Sequence, residues 1–350
     1  MGIWIGYSQE GLKIKETDVE FHNIRENPFK IYGLIDLGDR FARLDYDFAK
    51  TVSGGVASHS CNSSGGRVRF KTNSPYVAIK IKHSPYNHGS PHIARTNSVG
   101  IDMYVKENGA EKYRGTYLPP LDTDDGYEGI KHFPDSTYRE ITLFLPTGSQ
   151  LFDMEIGIKQ GSEIKEHSPY RTEKPIVFYG SSITNGYAAS RPGNMYEGFI
   201  SRMFDINFTN LGFSGNAMGE KNLAEYIAGL DMTAFILDYD HNAPDTEHLR
   251  NTHEQFFKII REKNPCLPIV IVSRPDESMS ADNLGRKDII LQTYLNARNN
   301  GDENVYFVDG STFFPDDCKY DCTVDGCHPT DLGMYFMAKR IASVLKKVII

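Results

Sequence analysis

Four short pieces occur in a fixed order along the C-terminal half of this chain: Gly180-Ser181-Ser182-Ile183-Thr184, then Asn210-Leu211-Gly212-Phe213-Ser214-Gly215-Asn216, then Asn242, then Asp325-Gly326-Cys327-His328-Pro329. In that order they supply a nucleophile, an oxyanion hole, an acid and a base. A serine hydroxyl is a poor nucleophile until a base accepts its proton, and a carboxylate near the base fixes its tautomer and steadies the imidazolium. The tetrahedral intermediate of acyl transfer then needs preorganised hydrogen-bond donors. Each piece also has a plainer reading. The serines can cap a following helix, Gly215 can serve a tight turn, and Asn210 and Asn216 can bond local backbone. No Gly-x-Ser-x-Gly elbow occurs anywhere in the chain, which disfavours the α/β-hydrolase arrangement of the same chemistry.

The order of the pieces resembles the SGNH (GDSL) hydrolase family of serine esterases and acyltransferases. The resemblance implies Ser182 as nucleophile, with Ser181 where the family carries an Asp that is not the triad acid. It implies Asp325 as acid and His328 as base, in an Asp-x-x-His block that matches without adjustment. The oxyanion donors it implies are the backbone N–H of Ser182, the backbone N–H of Gly215 and the side-chain amide of Asn242. The family's Gly-x-Asn-Asp stands here as Asp240-His241-Asn242-Ala243, so Asn242 is read both as an oxyanion donor and as an ordinary loop asparagine. In the other half, Gly100-Ile101-Asp102-Met103-Tyr104 is similar to the Gly-x-Asp-Leu-Tyr signature of a β-sandwich domain that precedes some SGNH hydrolases. No metal or cofactor is implied.

Two kinds of element must position these residues. Between residues 20 and 160 the pattern is of strands: 67–71, 76–82, 101–105 and 140–145 alternate apolar and polar side chains and are separated by turn residues such as Asn108-Gly109. This predicts an antiparallel, jelly-roll-like β-sandwich. From residue 176 short apolar strands (176–179, 206–209, 234–237, 269–272, 305–308) alternate with helical patterns near 194–204, 219–229, 245–263, 280–299 and 331–347. Such alternation predicts an α/β domain, here SGNH-type (flavodoxin-like), with a parallel sheet covered on both faces. Ligands collect at the carboxyl ends of such strands, and Ser182, Gly215 and Asn242 each follow one. The expected domains are 1–165 and 170–350, joined through the polar stretch 161–175.

A formal charge of -8 and the absence of a Lys/Arg run argue against nucleic acid or an anionic membrane as partner, and point to a small-molecule substrate. The first residues lack a signal-peptide pattern and no apolar stretch is long enough to span a bilayer. A cytoplasmic protein is therefore expected if Met1 is the native start, and a secreted or periplasmic one if a leader has been removed. Five cysteines do not read as a disulfide framework. Cys318, Cys322 and Cys327 crowd the loop before His328 in a spacing that fits no familiar zinc ribbon. His241 is a rival base beside the same crevice, without a carboxylate like Asp325 to orient it. Arg191 can bind a substrate carbonyl or sit as a solvated loop arginine. His83, His88 and His92 can hold zinc, shape the substrate site, or lie on a surface loop. The expected activity is that of a metal-independent serine esterase acting through an acyl-enzyme on Ser182, favouring a short acyl group on a sugar. An acyltransferase with the same triad and a non-catalytic glycan-binding protein are the alternatives.

Overall fold

The computed structural model describes residues 12–86, 90–122, 125–172, 174–275 and 280–349. It divides into two compact units: one holds the chain up to Asp45, Cys61–Tyr170 and Ser190–Gly193; the other holds Tyr46–Ser60, Arg171–Ala189 and the chain from Asn194 onward.

The first unit is antiparallel. One sheet runs in the order Val19–Asn23, Leu151–Lys159, Tyr76–His83, Gly126–His132. The other runs Ile164–Lys165, Arg67–Thr72, Arg139–Phe144, Ile101–Glu107, Ala110–Tyr117, with Lys30–Tyr32 also paired to Arg67–Thr72. Alternate residues of the strands, among them Val68 and Phe70, Val77, Ile79 and Ile81, Met103 and Val105, and Ile156 and Ile158, meet in one core. That period of two is what makes a sandwich of two half-buried sheets.

The expectation of strands alone from 20 to 160 misses a helical stretch after residue 45 and a single-turn helix at Arg95–Ser98. Residues Tyr46–Val52 and Gly54–Ser60 are helices and pack in the second unit. The first buries Ala49 and the second Val56, Ala57 and Ser60. Phe48 stacks on Tyr226 with ring centroids 4.6 Å apart. The backbone of Gly55 lies so close to Asn216 that a Cβ there would fall 1.7 Å from its Oδ1.

The sheet of the second unit is parallel, in the order Phe208–Gly212, Ile176–Gly180, Ala234–Asp238, Ile269–Val272, Val305–Val308. In chain order this is 2-1-3-4-5, the flavodoxin-like winding, with its switch point between the first and third strands. Ile176–Gly180 and Ala234–Asp238 are buried at every residue, which accounts for their uninterrupted apolar runs. Helices Tyr196–Phe204 and Asp331–Ile349 pack together, and Lys221–Ala228, Thr246–Lys263 and Ala281–Asn299 pack in series. No helix among the described residues is long and apolar enough to cross a membrane.

Candidate active site

All the groups of the predicted triad lie in the second unit, on loops that leave the carboxyl ends of its strands. Ser182 follows the strand Ile176–Gly180 in a helix-like turn closed by the bonds Asn185 N–H to Ser181 O (3.0 Å) and Tyr187 N–H to Ser182 O (2.9 Å). Gly180 is required here. A Cβ on it would stand 2.1 Å from Thr184 Oγ1 and 2.4 Å from the carbonyl oxygen of Asp238. Gly212 is required for the same reason on the other side, since its Cβ would meet the backbone nitrogen of Asn185 at 2.3 Å. The capping role open to both serines falls to one of them: Ser181 Oγ accepts the N–H of Ile183 at 3.2 Å. Ser182 Oγ instead lies 2.9 Å from His328 Nε2.

His328 is carried by a loop that a carboxylate organises from within. Asp325 Oδ1 accepts the backbone N–H of His328 (2.7 Å) and of Cys327 (3.0 Å), and Oδ2 accepts Nδ1–H of the imidazole at 2.7 Å. Burial tends to raise the Asp325 pKa, but these bonds and the neighbouring imidazole outweigh it and hold the carboxyl below its ordinary value. Asp325 is thus an anion with its acceptors filled. It leaves Nε2 of the imidazole as the acceptor that faces Ser182. The ring of Tyr187 covers one face of His328, centroids 4.3 Å apart.

Three donors remain unspent around the serine. Neither the Ser182 N–H nor the Gly215 N–H donates to any partner among the described residues. The first is an orphan donor of the kind found at every helical N-terminus. The second sits in a turn closed by Asn216 N–H to Phe213 O at 2.9 Å, where φ of +68° at Gly215 calls for glycine. Asn242 presents its Oδ1 to the Ala217 N–H at 3.3 Å, and because that partner is a donor the orientation of the amide is settled. Its NH2 therefore stays available.

His241, the rival base, is placed differently. Burial drives its pKa well below the ordinary histidine value, and the nearby Arg274, His328 and Arg286 add to this. Its Nδ1 faces the Cys327 thiol at 3.7 Å, while Nε2 is buried with no hydrogen-bond partner among the described residues. Among the described residues no carboxylate orients it.

A family model for GDSL-like lipase/acylhydrolases matches residues 173–347, half of the chain. The chain belongs to the GDSL-like lipase/acylhydrolase family. A second model, the N-terminus of SGNH-hydrolase-type esterases named for its GxDLY motif, matches residues 19–164. Among solved structures, one from Bacteroides ovatus ATCC 8483, assigned as a GDSL-like lipase, is 29% identical, with a TM-score of 0.85 over 95% of this chain and 98% of that one. A salicylyl-acyltransferase from a tetracycline biosynthetic pathway is 19% identical, with a TM-score of 0.76 over 96% and 99%. An acetyl xylan esterase from the rumen bacterium Butyrivibrio proteoclasticus is 15% identical, with a TM-score of 0.59 over 95% and 98%. None of the curated proteins matches the chain in sequence. This GDSL-family chain is an ester-hydrolysing enzyme.

Arg191 belongs to the first unit, where Nη1 donates to Asp102 Oδ2 (2.8 Å) and to the Tyr104 hydroxyl (2.6 Å) and the guanidinium lies 3.8 Å over the Tyr113 ring. Asp102 and Tyr104 are the Asp and Tyr of the Gly-x-Asp-x-Tyr motif. Gly100, its first residue, packs where a Cβ would fall 2.3 Å from Thr96 O. Asp102 Oδ2 also takes the N–H of Gly193 at 2.9 Å, so the motif holds the short segment Ser190–Gly193 to the sandwich. His92 is exposed on a turn of the first unit. His83 ends a strand, buried, with Nδ1 bonded to Ser84 O at 2.7 Å. His88 lies outside the described residues. All five cysteines are free thiols, and Cys322 is buried with its Sγ 3.3 Å from Cys318 O.

Asn210 does more than brace its own loop. Its Oδ1 takes the Gly212 N–H (2.9 Å), while its Nδ2 reaches the Thr184 carbonyl and Glu197 Oε1 (3.2 Å). It ties the serine turn to the neighbouring strand. The side-chain amide of Asn216, by contrast, donates to the nearby Ser214 carbonyl at 2.6 Å. If the Asn242 amide serves as an oxyanion donor, Asn242→Ala is expected to lower kcat by roughly 10²–10³ with KM little changed, read from steady-state ester hydrolysis.

Proposed function

We propose that Ser182 is the nucleophile of a serine esterase that works through an acyl-enzyme. The observation that carries the reading is the continuous chain Ser182 Oγ, His328 Nε2, His328 Nδ1, Asp325 Oδ2, with contacts of 2.9 Å and 2.7 Å. Ser182 Oγ attacks the ester carbonyl while His328 Nε2 takes its proton. The oxyanion is met by the N–H groups of Ser182 and Gly215 and the amide of Asn242, and His328 returns the proton to the departing alkoxide. Water then attacks the acyl-enzyme, giving a proton to His328, and the tetrahedral intermediate collapses with that proton passing to Ser182 Oγ as the Oγ–acyl bond breaks and the acid leaves. Every proton is accounted for by one imidazole.

The favoured substrate is an acetyl ester of a carbohydrate or another small polar alcohol. Supporting it are the pairing of a GxDLY-type sandwich with this catalytic fold and the likeness in architecture to an acetyl xylan esterase. Fold alone does not fix a substrate, so the proposal is tested with p-nitrophenyl esters from acetate to octanoate, with a chelator control, followed by acetylated xylose and cello-oligosaccharides. The expected result is a preference for acetate that survives the chelator and extends to acetylated sugars. A preference for octanoate, or acyl transfer to an added alcohol with no hydrolysis, would overturn the substrate assignment.

A further inference from the structure

Under the serine turn lies a second polar cluster, all of it inside the same unit. Asp238 ends the strand Ala234–Asp238 and pairs in register with Gly180, the residue from which the turn departs. Its Oδ2 accepts the hydroxyl of Thr184 at 3.1 Å and that of Tyr196 at 3.1 Å, and those two hydroxyls are 3.2 Å from each other. Thr184 and Tyr196 are fully buried and Asp238 is 2% exposed. The triad does not use any of the three.

Resting on the assignment of Ser182 as nucleophile, we propose that Asp238 is a positioning residue whose carboxylate, by accepting the Thr184 hydroxyl, locks the turn that presents Ser182 to His328. Two contacts hold Thr184 from opposite ends: Asp238 at the side chain, and Asn210 Nδ2 at the carbonyl. With Asp238 ionised, only two hydroxyl protons serve the three oxygens, so the Thr184 proton is drawn to the carboxylate and the rotamer is fixed. With Asp238 protonated, the carboxyl can itself donate to Thr184 Oγ1, and the direction of that bond is no longer dictated.

The surroundings make this ionisation reachable at working pH. Burial first, and then the neighbouring Asp240, push the Asp238 pKa up to about 7, against the lowering effect of the Tyr196 and Thr184 hydroxyls. From the helix Tyr196–Phe204, Tyr196 faces the carboxylate directly and its neighbour Glu197 adds negative charge near that hydroxyl. From the turn comes Thr184, and among the described residues no cation acts on Asp238. A raised carboxylate pKa means the locked form is present above about 7 and is lost as the pH falls through that value.

The decisive measurement is the rate at which a fluorophosphonate probe labels Ser182, located by mass spectrometry, across pH 5 to 9 in the full chain. The acid-side logarithmic slope of the wild-type rate should exceed that of the Asp238 variant by about one, the share that Asp238 contributes. Asp238→Asn, which still accepts from Thr184, should label within about tenfold of wild type at pH 8.5 and lose that share of the slope. At pH 5.5 the wild type should have lost about 30-fold more of its rate than the variant. Thr184→Val, which keeps the shape and removes the donor, should also lower the slope by about one, and it carries the comparison if Asp238→Asn does not fold by circular dichroism. A merely structural role would lower the rate evenly and leave the slope alone, and equal slopes in all three proteins would overturn the inference. If the wild-type Ser182 takes no label at any pH, the nucleophile assignment fails and the positioning role falls with it.

Discussion

Ser182→Ala and His328→Ala are each expected to lower ester hydrolysis by at least ~10³-fold, with thermal unfolding midpoints close to that of the wild type. The two losses should be similar in size and should not add in the double variant, because hydroxyl and imidazole act as one unit across a 2.9 Å contact. His241→Ala is the discriminating control. Its imidazole is kept neutral by burial, faces a thiol rather than a carboxylate, and makes no hydrogen bond to Ser182, so its removal should cost less than tenfold. Equal losses at His241 and His328, measured with p-nitrophenyl acetate, would reverse the choice of base.

The parts of this arrangement that could be read from the sequence are those whose physics is local. Asp325 and His328 lie within one short loop, and the carboxylate satisfies its acceptors on that loop's own N–H groups, so the pair is visible as a spacing. The parallel strands are equally plain, because a strand buried on both faces must be apolar at every position, as Ile269–Val272 is. Where a strand carries a polar residue for a distant reason, the pattern blurs. The second strand of the parallel sheet in chain order, expected at 206–209, runs over Phe208–Gly212, and its fully buried Asn210 holds the serine turn rather than filling a core.

Non-local partners account for what the sequence concealed. The helices Tyr46–Val52 and Gly54–Ser60 are seven residues each and bury mainly small side chains, which gives too weak a helical period to stand out among strands. The likeness of 100–104 to a signature was legible, but its physical content was not. Only the fold shows that Asp102 and Tyr104 receive Arg191, a residue that reads as a loop arginine free to meet substrate. Asp238 is hidden for a similar reason, since nothing in Ala234-Phe235-Ile236-Leu237-Asp238 announces that Thr184 and Tyr196 will converge on its carboxylate.

Asp325→Asn is expected to be more damaging than its conservative appearance suggests, at about 10⁴-fold in kcat. The argument turns on which atom goes where. Oδ1 of Asp325 takes two backbone N–H groups, from His328 at 2.7 Å and Cys327 at 3.0 Å, and an asparagine can satisfy both only by placing its own oxygen there. Its NH2 then replaces the oxygen that faced His328 Nδ1 at 2.7 Å. A donor in that place requires Nδ1 to accept, which moves the ring proton to Nε2, the nitrogen that must accept the Ser182 proton. Loop and imidazole stay in position while the base is presented in the wrong tautomer. Asp325→Ala frees the tautomer but gives up both backbone bonds, so it should retain more activity than Asp325→Asn while unfolding at lower temperature. Steady-state kinetics with p-nitrophenyl acetate and thermal melts on the two variants separate the effects, and an asparagine variant with more than a tenth of wild-type kcat would show that Asp325 orders the loop without governing the proton.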